Sequence, residues 1–311
     1  MDPVSAVALL SPYTKQIWCL CFVSSLWRDI RRFLEFNSGP LPPLRTLRID
    51  YIIDKITPDT PDAITLPSPP LFSNAVNLQE FRLDSESLPF LDHFAFPSLT
   101  SFELSMVSAE DFRASQLLDF LEASPMLPVV HMKILMDISF EGVPRERIAV
   151  LHNVESLCLV MSDGEPGYKL AAHISCPSAT HTSLTCTYKK DFNRMPPQQI
   201  FTAFVPWNAI VRQYTRGSIE EIALEIEIAS CYFVLCSLTF RSPDATIIEL
   251  RFEVTMDDED ENDSWFEAEM FFAEMYQEAF CQASRTIQDL PLLANVKRLR
   301  MCHGGPILDY A

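Results

Sequence analysis

Glycine is scarce in this chain, with 7 residues in 311 against 23 prolines. Phosphate-cradling loops and dinucleotide-binding turns are built on glycine, so the ratio counts against nucleotide binding, and there is no P-loop. Basic residues are few as well: 24 Lys and Arg stand against 42 Asp and Glu, for a net charge of −18. A general nucleic-acid binder needs the opposite balance, because it must neutralise phosphates. No run reaches the roughly 18 apolar residues of a membrane span. The most apolar early segment, Ile17 to Trp27, is short and is followed by Arg28, Asp29, Arg31 and Arg32. It also lacks the basic start and small-residue cleavage pattern of a signal peptide. The nine cysteines are scattered and odd in number. A disulfide scaffold is therefore not expected, and a reduced compartment, cytoplasmic or nuclear, is. The six histidines form no His-Glu-x-x-His pair, and no Cys-x-x-Cys or Gly-x-Ser-x-Gly run occurs. No metal, cofactor or catalytic residue is predicted on these grounds.

What the chain does have is enough apolar residue for a sizeable core, 48% hydrophobic against 21% charged. It also has a recurring phrase: an apolar residue, two variable ones, an apolar, one variable, an apolar. The phrase reads Leu44-Leu47-Ile49, Leu78-Phe81-Leu83, Leu99-Phe102-Leu104, Leu127-Val130-Met132, Val154-Leu157-Leu159, Ile219-Ile222-Leu224, Ile247-Leu250-Phe252 and Val296-Leu299-Met301, with a degenerate copy at Ala179-Thr182-Leu184. The last two positions alternate as in a strand with one buried face. The spacings between main copies are 34, 21, 28, 27, 65, 28 and 49 residues. Regular leucine-rich repeats run about 20–29 residues, so several spacings fit and the larger ones imply insertions. The expected fold is α/β, an irregular leucine-rich-repeat-like solenoid with a mostly parallel sheet and connecting helices, spanning 40–311. Residues 1–36 are expected to be a helical remnant or an N-terminal cap.

Between the strands, Ser108 precedes the acidic turn Glu110-Asp111. Phe112, Leu117, Phe120 and Leu121 then keep helical spacing until Pro125. Strand, helix, strand over Leu99–Leu104, Asp111–Ala123 and Leu127–Ile134 favours parallel pairing. The C-terminal part is acidic: 219–278 holds 17 acids and two bases. Six acids in Asp257–Asp263 predict an exposed loop. A capping box, Ser264 with Glu267, opens a long amphipathic helix over 264–289.

If the fourth and sixth residues of each phrase point inward, their neighbours face outward on a sheet that solenoids use for protein docking. The partner-binding candidates are Arg48, Arg82, Glu103, His131, Lys133, Glu225, Arg251, Arg298 and Arg300. They are either a docking face or ordinary solvated strand residues paired across the ladder.

The segment Val23-Ser24-Ser25-Leu26-Trp27-Arg28-Asp29-Ile30 resembles the last helix of fungal F-box proteins. The body resembles the leucine-rich-repeat-like chains attached to such F-boxes, in Asn77–Phe81, Phe96–Thr100, Arg113–Leu121 and Arg241–Ala245. The F-box opening is not visible in Met1–Leu20, so the F-box reads as truncated or degenerate. The resemblance implies a non-catalytic protein-interaction module, the substrate-recognition part of an SCF-type ubiquitin-ligase receptor. A Skp adaptor would then sit on Leu26, Trp27 and Ile30, and a protein target on the repeats. One alternative is a free-standing repeat scaffold, in which Leu26, Trp27 and Ile30 cap the first repeat. Another is an enzyme with a dispersed site, where carboxylates converge on His131, His152 or His173.

Overall fold

The computed structural model describes residues 16–24, 43–51, 75–85, 96–106, 113–134, 138–162, 169–190, 219–230, 233–243, 247–256, 281 and 297–304. The protein is mixed α/β, with a large, mostly parallel sheet and few helices. It divides into two compact units, residues 1–156 with 176–178, and 157–175 with 179–311.

In the first unit the strands are β1 (Cys19–Ser24), β2 (Thr46–Tyr51), β3 (Glu80–Ser85), β4 (Ser101–Met106) and β5 (Val129–Ile134). They lie side by side in chain order, and each pairs with the next in parallel. The phrase sets the register. Leu47 stands opposite Phe81, Phe81 opposite Phe102, and Phe102 opposite Val130; one pleat on, Ile49, Leu83, Leu104 and Met132 form a second row. All eight are buried. A one-residue slip would turn each apolar set to solvent, so burial holds the register.

Hydrogen bonds repeat with the phrase. The carbonyl after its first residue accepts two N–H groups from the next copy: Arg45 from Gln79 and Glu80, Gln79 from Thr100 and Ser101, Pro128 from Glu155 and Ser156. A turn also precedes the first residue in four of the copies. The N–H groups of Leu78, Leu99, Leu127 and Val154 donate to the carbonyls of Ala75, Phe96, Ser124 and Leu151. Those four earlier residues are buried too, so the repeating unit begins three residues before the phrase as read from sequence.

The helix α1 spans Ala114–Glu122 and buries Ala114, Leu117, Leu118, Phe120 and Leu121. It starts three residues later than expected. Arg113 is extended and bridged to Ser139, and the Ala114 N–H donates to the Ser139 carbonyl at 2.9 Å. Ser108 lies outside the described residues. Phe120 packs against Phe81, Phe96 and Phe102, with ring centroids 6.0, 6.4 and 4.6 Å away, and Phe81 meets Phe96 edge-on at 5.2 Å. Helix, turn and two strands thus share one aromatic core, in the offset and edge-on geometries that ring quadrupoles favour. Arg147 reaches Asp119 at 2.7 Å and Glu122 at 2.8 Å, fastening the helix to the segment before β6 (Ala149–Val150). Gly142 occupies the third position of the Phe140–Val143 turn with φ of 77°, a conformation that glycine adopts without strain.

The second unit holds β7 (Ser156–Ser162), β8 (Ile174–Ser175), β9 (His181–Lys190), β10 (Glu221–Ser230), β11 (Phe233–Arg241), β12 (Ile247–Met256) and β13 (Arg298–Gly304). Here spatial order departs from chain order: β7-β9-β12-β11-β10-β13. The copies at Ile219 and Ile247 are not successive parallel repeats. An antiparallel strand, β11, lies between them. Only Cys231 and Tyr232 join β10 to β11, and so short a connection permits a hairpin but no parallel crossover. The β12 copy is also displaced. Thr182 pairs with Ile248 and Leu184 with Leu250, and the Thr180 carbonyl accepts the Ile247 N–H. The phrase in register is therefore Ala245-Ile248-Leu250, two residues earlier than read. Ile222 with Leu299 and Leu224 with Met301 match as expected.

Strand β1 falls inside residues 1–36, the span expected to be a helical remnant or an N-terminal cap. Its phrase is Ile17-Leu20-Phe22, with Leu20 opposite Leu47 and Phe22 opposite Ile49. Val23 and Ser24, the first residues of the F-box-like segment, are strand. Leu26, Trp27, Ile30, the acidic loop 257–263 and, apart from Cys281, the helix expected over 264–289 lie outside the described residues.

Candidate functional site

The strand alternation that buries the phrase turns its variable residues to the opposite face. All nine partner-binding candidates occupy such positions. In the first unit one row runs Cys21, Arg48, Arg82, Glu103, His131 across five strands. The next row runs Val23, Asp50, Asp84, Ser105, Lys133. In the second unit Arg251 and Glu225 share a row with Thr185 and Ser237, while Arg298 and Arg300 stand on β13 opposite Glu221 and Ala223.

Two arginines, Arg48 and Arg82, are directly opposed, an arrangement that costs energy unless each charge is balanced. Asp50, two residues along β2, takes hydrogen bonds from Arg48 Nε at 2.7 and 2.9 Å and from Nη2 at 2.6 Å. That bond, and then the Coulomb attraction of Asp50, hold the Arg48 guanidinium above its ordinary pKa. Asp50 itself is only 7% exposed. Arg82 turns the other way, to Glu103 of β4 at 3.2 Å, and its Nε is buried without a partner. In the second unit Arg251 pairs with Glu249 at 2.8 Å, and Glu249 also accepts from the Ser237 hydroxyl at 3.4 Å. Arg298 and Arg300 both reach Glu221, at 3.4 and 3.5 Å.

Six of the nine candidates therefore pair with neighbours on the same face. The other three, His131, Lys133 and Glu225, are exposed and have no ion pair among the described residues. On β5 the run Val129, His131, Lys133 offers one apolar and two polar side chains to solvent, with Val129 41% exposed. Paired charges present a fixed pattern to a partner, while free ones supply new contacts.

Sequence reasoning missed Cys158, on the outward side of β7. Burial pushes its thiol above the usual value. Arg251 and a hydrogen bond from Ser183 act against that shift, and Glu249 reinforces it. A thiol kept protonated is a poor nucleophile. The signal was present in the phrase Val154-Leu157-Leu159, whose fifth position is Cys158. His152 is exposed in the turn before Val154, and His173 is half-buried after a helical turn over 169–172. Among the described residues no group of three His, Cys, Asp or Glu side chains is placed to hold a metal ion. No described helix is long and apolar enough to cross a membrane. Comparison with protein-family models, curated proteins and solved structures finds no match.

Proposed function

We propose that this protein is a non-catalytic protein-interaction module, with an irregular leucine-rich-repeat-like body that docks a protein partner on the outward faces of its strands. The observation that carries the reading is the register of the first unit. Four copies of one phrase stand in line with their apolar positions buried, so that their variable positions form continuous rows of mixed charge. Rows of that kind favour a partner of complementary charge pattern, through encounter steering and through the cost of misaligned like charges.

The F-box resemblance directs this module to a ubiquitin ligase, with a Skp adaptor on Leu26, Trp27 and Ile30 and the degradation target on the strand face. The second reading, a free-standing scaffold, is favoured by one observation: Val23 and Ser24 belong to a strand paired with β2. Segments of a repeat body do not serve at the same time as an adaptor-binding helix.

The test uses the full chain. Under the ligase reading it co-elutes with a purified Skp adaptor, and Trp27→Ala abolishes co-elution. Absence of co-elution under conditions that retain intact F-box proteins rejects the ligase link and leaves the scaffold. For the docking face, a photo-crosslinking residue at Lys133 or His131 is expected to capture one protein reproducibly from extract. The same residue at Ile148, exposed but off the strand rows, is expected not to capture it. Equal capture at both places rejects the face.

A further inference from the structure

We propose that Cys19 and Cys21 together form a binding site for a soft monovalent metal ion, Cu(I), held in line between their two sulfurs. In sequence they read Cys19-Leu20-Cys21. On a helix, residues two apart do not face each other. This segment is strand β1, where side chains two apart stand on one face. Leu20 and Phe22 lie opposite the buried Leu47 and Ile49, so Cys19 and Cys21 share the outward face. Both are free thiols, and both are exposed.

Spacing decides what two such thiols can do. Two residues apart along a strand is about 6.6 Å, for Cβ as for Cα atoms. A disulfide needs Cβ atoms about 3.5–4.5 Å apart, so Cys19 and Cys21 are poorly placed to join directly. A metal ion between the sulfurs asks for less. With metal–sulfur bonds of about 2.3 Å, the sulfurs stand about 4.6 Å apart. Strand side chains lean along the strand, and two that lean toward each other close the remaining gap of about 2 Å.

The donors then select the ion. Thiolates are soft and favour Cu(I), Zn(II) and iron–sulfur clusters. Zinc takes four ligands, or three and a water, and the clusters take four protein ligands. Among the described residues no group of three His, Cys, Asp or Glu is placed to hold a metal, so neither is completed at this pair. Cu(I), a closed-shell ion that two thiolates satisfy, remains. Binding exchanges two thiol protons for one Cu(I) and leaves a bis-thiolate complex with one net negative charge. Arg48 stands opposite Cys21 on β2, and its guanidinium is attracted to the charge of that sulfur. A cation is thus placed beside the charge that the complex carries.

The experiment offers Cu(I) to the reduced full chain under nitrogen, in competition with the chromogenic Cu(I) chelator bicinchoninate. The native chain is expected to retain one equivalent more than Cys19→Ser/Cys21→Ser. Each single variant is expected to lose that equivalent as the double variant does, and circular dichroism checks that all three fold. X-ray absorption at one equivalent is expected to show two sulfur neighbours around copper. A further readout needs no variant. In the native chain Cu(I) is expected to shield Cys19 and Cys21 together from iodoacetamide, mapped by mass spectrometry, and Zn(II) is expected not to. Four results overturn the proposal: retention unchanged in the double variant, no shielding of either thiol by Cu(I), equal shielding by Zn(II), or three or more sulfur neighbours around copper, as when cysteines outside β1 complete the site.

Discussion

Single side chains in this protein are governed by where the phrase places them. Ser124 is 1% exposed, at the turn position that is Phe96 one copy earlier and Ala75 two copies earlier, and its hydroxyl has no hydrogen-bond partner. A buried hydroxyl without a partner is a net cost. Ser124→Ala is expected to leave the fold intact and to raise unfolding free energy by about 1 kcal/mol in urea titrations. The thiols divide in the same way. Cys19 and Cys21 are exposed, while burial pushes Cys176 from a usual 9.0 up to about 12. At pH 8 a thiol-specific alkylating reagent followed by mass spectrometry is expected to label Cys19 and Cys21 and to spare Cys176 until the chain unfolds. The linkage has a definite sign. Below pH 9.0 the thiol is protonated in both states, and between 9.0 and about 12 the unfolded chain ionises first. Stability therefore falls as pH rises through that window, and Cys176→Ala reduces the slope. Local sequence does not separate them: Cys19 and Cys21 sit in an apolar run and are exposed, while Cys176 sits beside Ser175 and Pro177 and is buried. On β1 the outward positions Cys19, Cys21 and Val23 are all filled with residues that look like core.

At the scale of elements, the aromatic cluster joins α1 to β3 and β4 through Phe120. Phe120→Ala is expected to lower unfolding free energy by about 3–5 kcal/mol, read as a reduced midpoint at unchanged denaturant slope. Arg147→Ala removes two part-exposed ion pairs and is expected to cost about 1 kcal/mol or less. Phe120, Leu117 and Leu121 were legible in sequence because a helix stripe and a stopping proline are strong local signals. The helix start was not, because a backbone bond to Ser139 set it, and nothing within Ser108–Arg113 announces that. Strands β2 to β5 were legible because polar residues separate their apolar ones. Strand β1 was hidden by the reverse: with Trp18, Cys19, Cys21 and Val23 also apolar, the two-residue alternation disappears. Strand β12 was read two residues late because Ile247 and Ile248 adjoin, and only the pairing with β9 decides which one is inward. Strand β11 carries the same spacing at Leu235-Leu238-Phe240, a copy the sequence reading passed over, and the two-residue link before it is what makes it antiparallel.

For the whole molecule, the sheet's mostly parallel character followed from the phrase, whereas the strand order of the second unit did not. That order depends on a hairpin and on where β13 inserts beside β10, and both are long-range choices. The outward rows were legible by parity alone, but their pairing was not. Which arginine turns along its own strand and which turns across depends on neighbours brought together by folding. Everything proposed for function rests on the copies lying parallel and in register. The most direct measurement is a methyl-resolved nuclear Overhauser experiment on protein labelled at Ile, Leu and Met methyls. The expected contacts are Ile49 with Leu83, Leu83 with Leu104, and Leu104 with Met132. Strong contacts of Leu47 with Leu83 in place of Ile49 with Leu83 would mean antiparallel hairpins and would contradict the account.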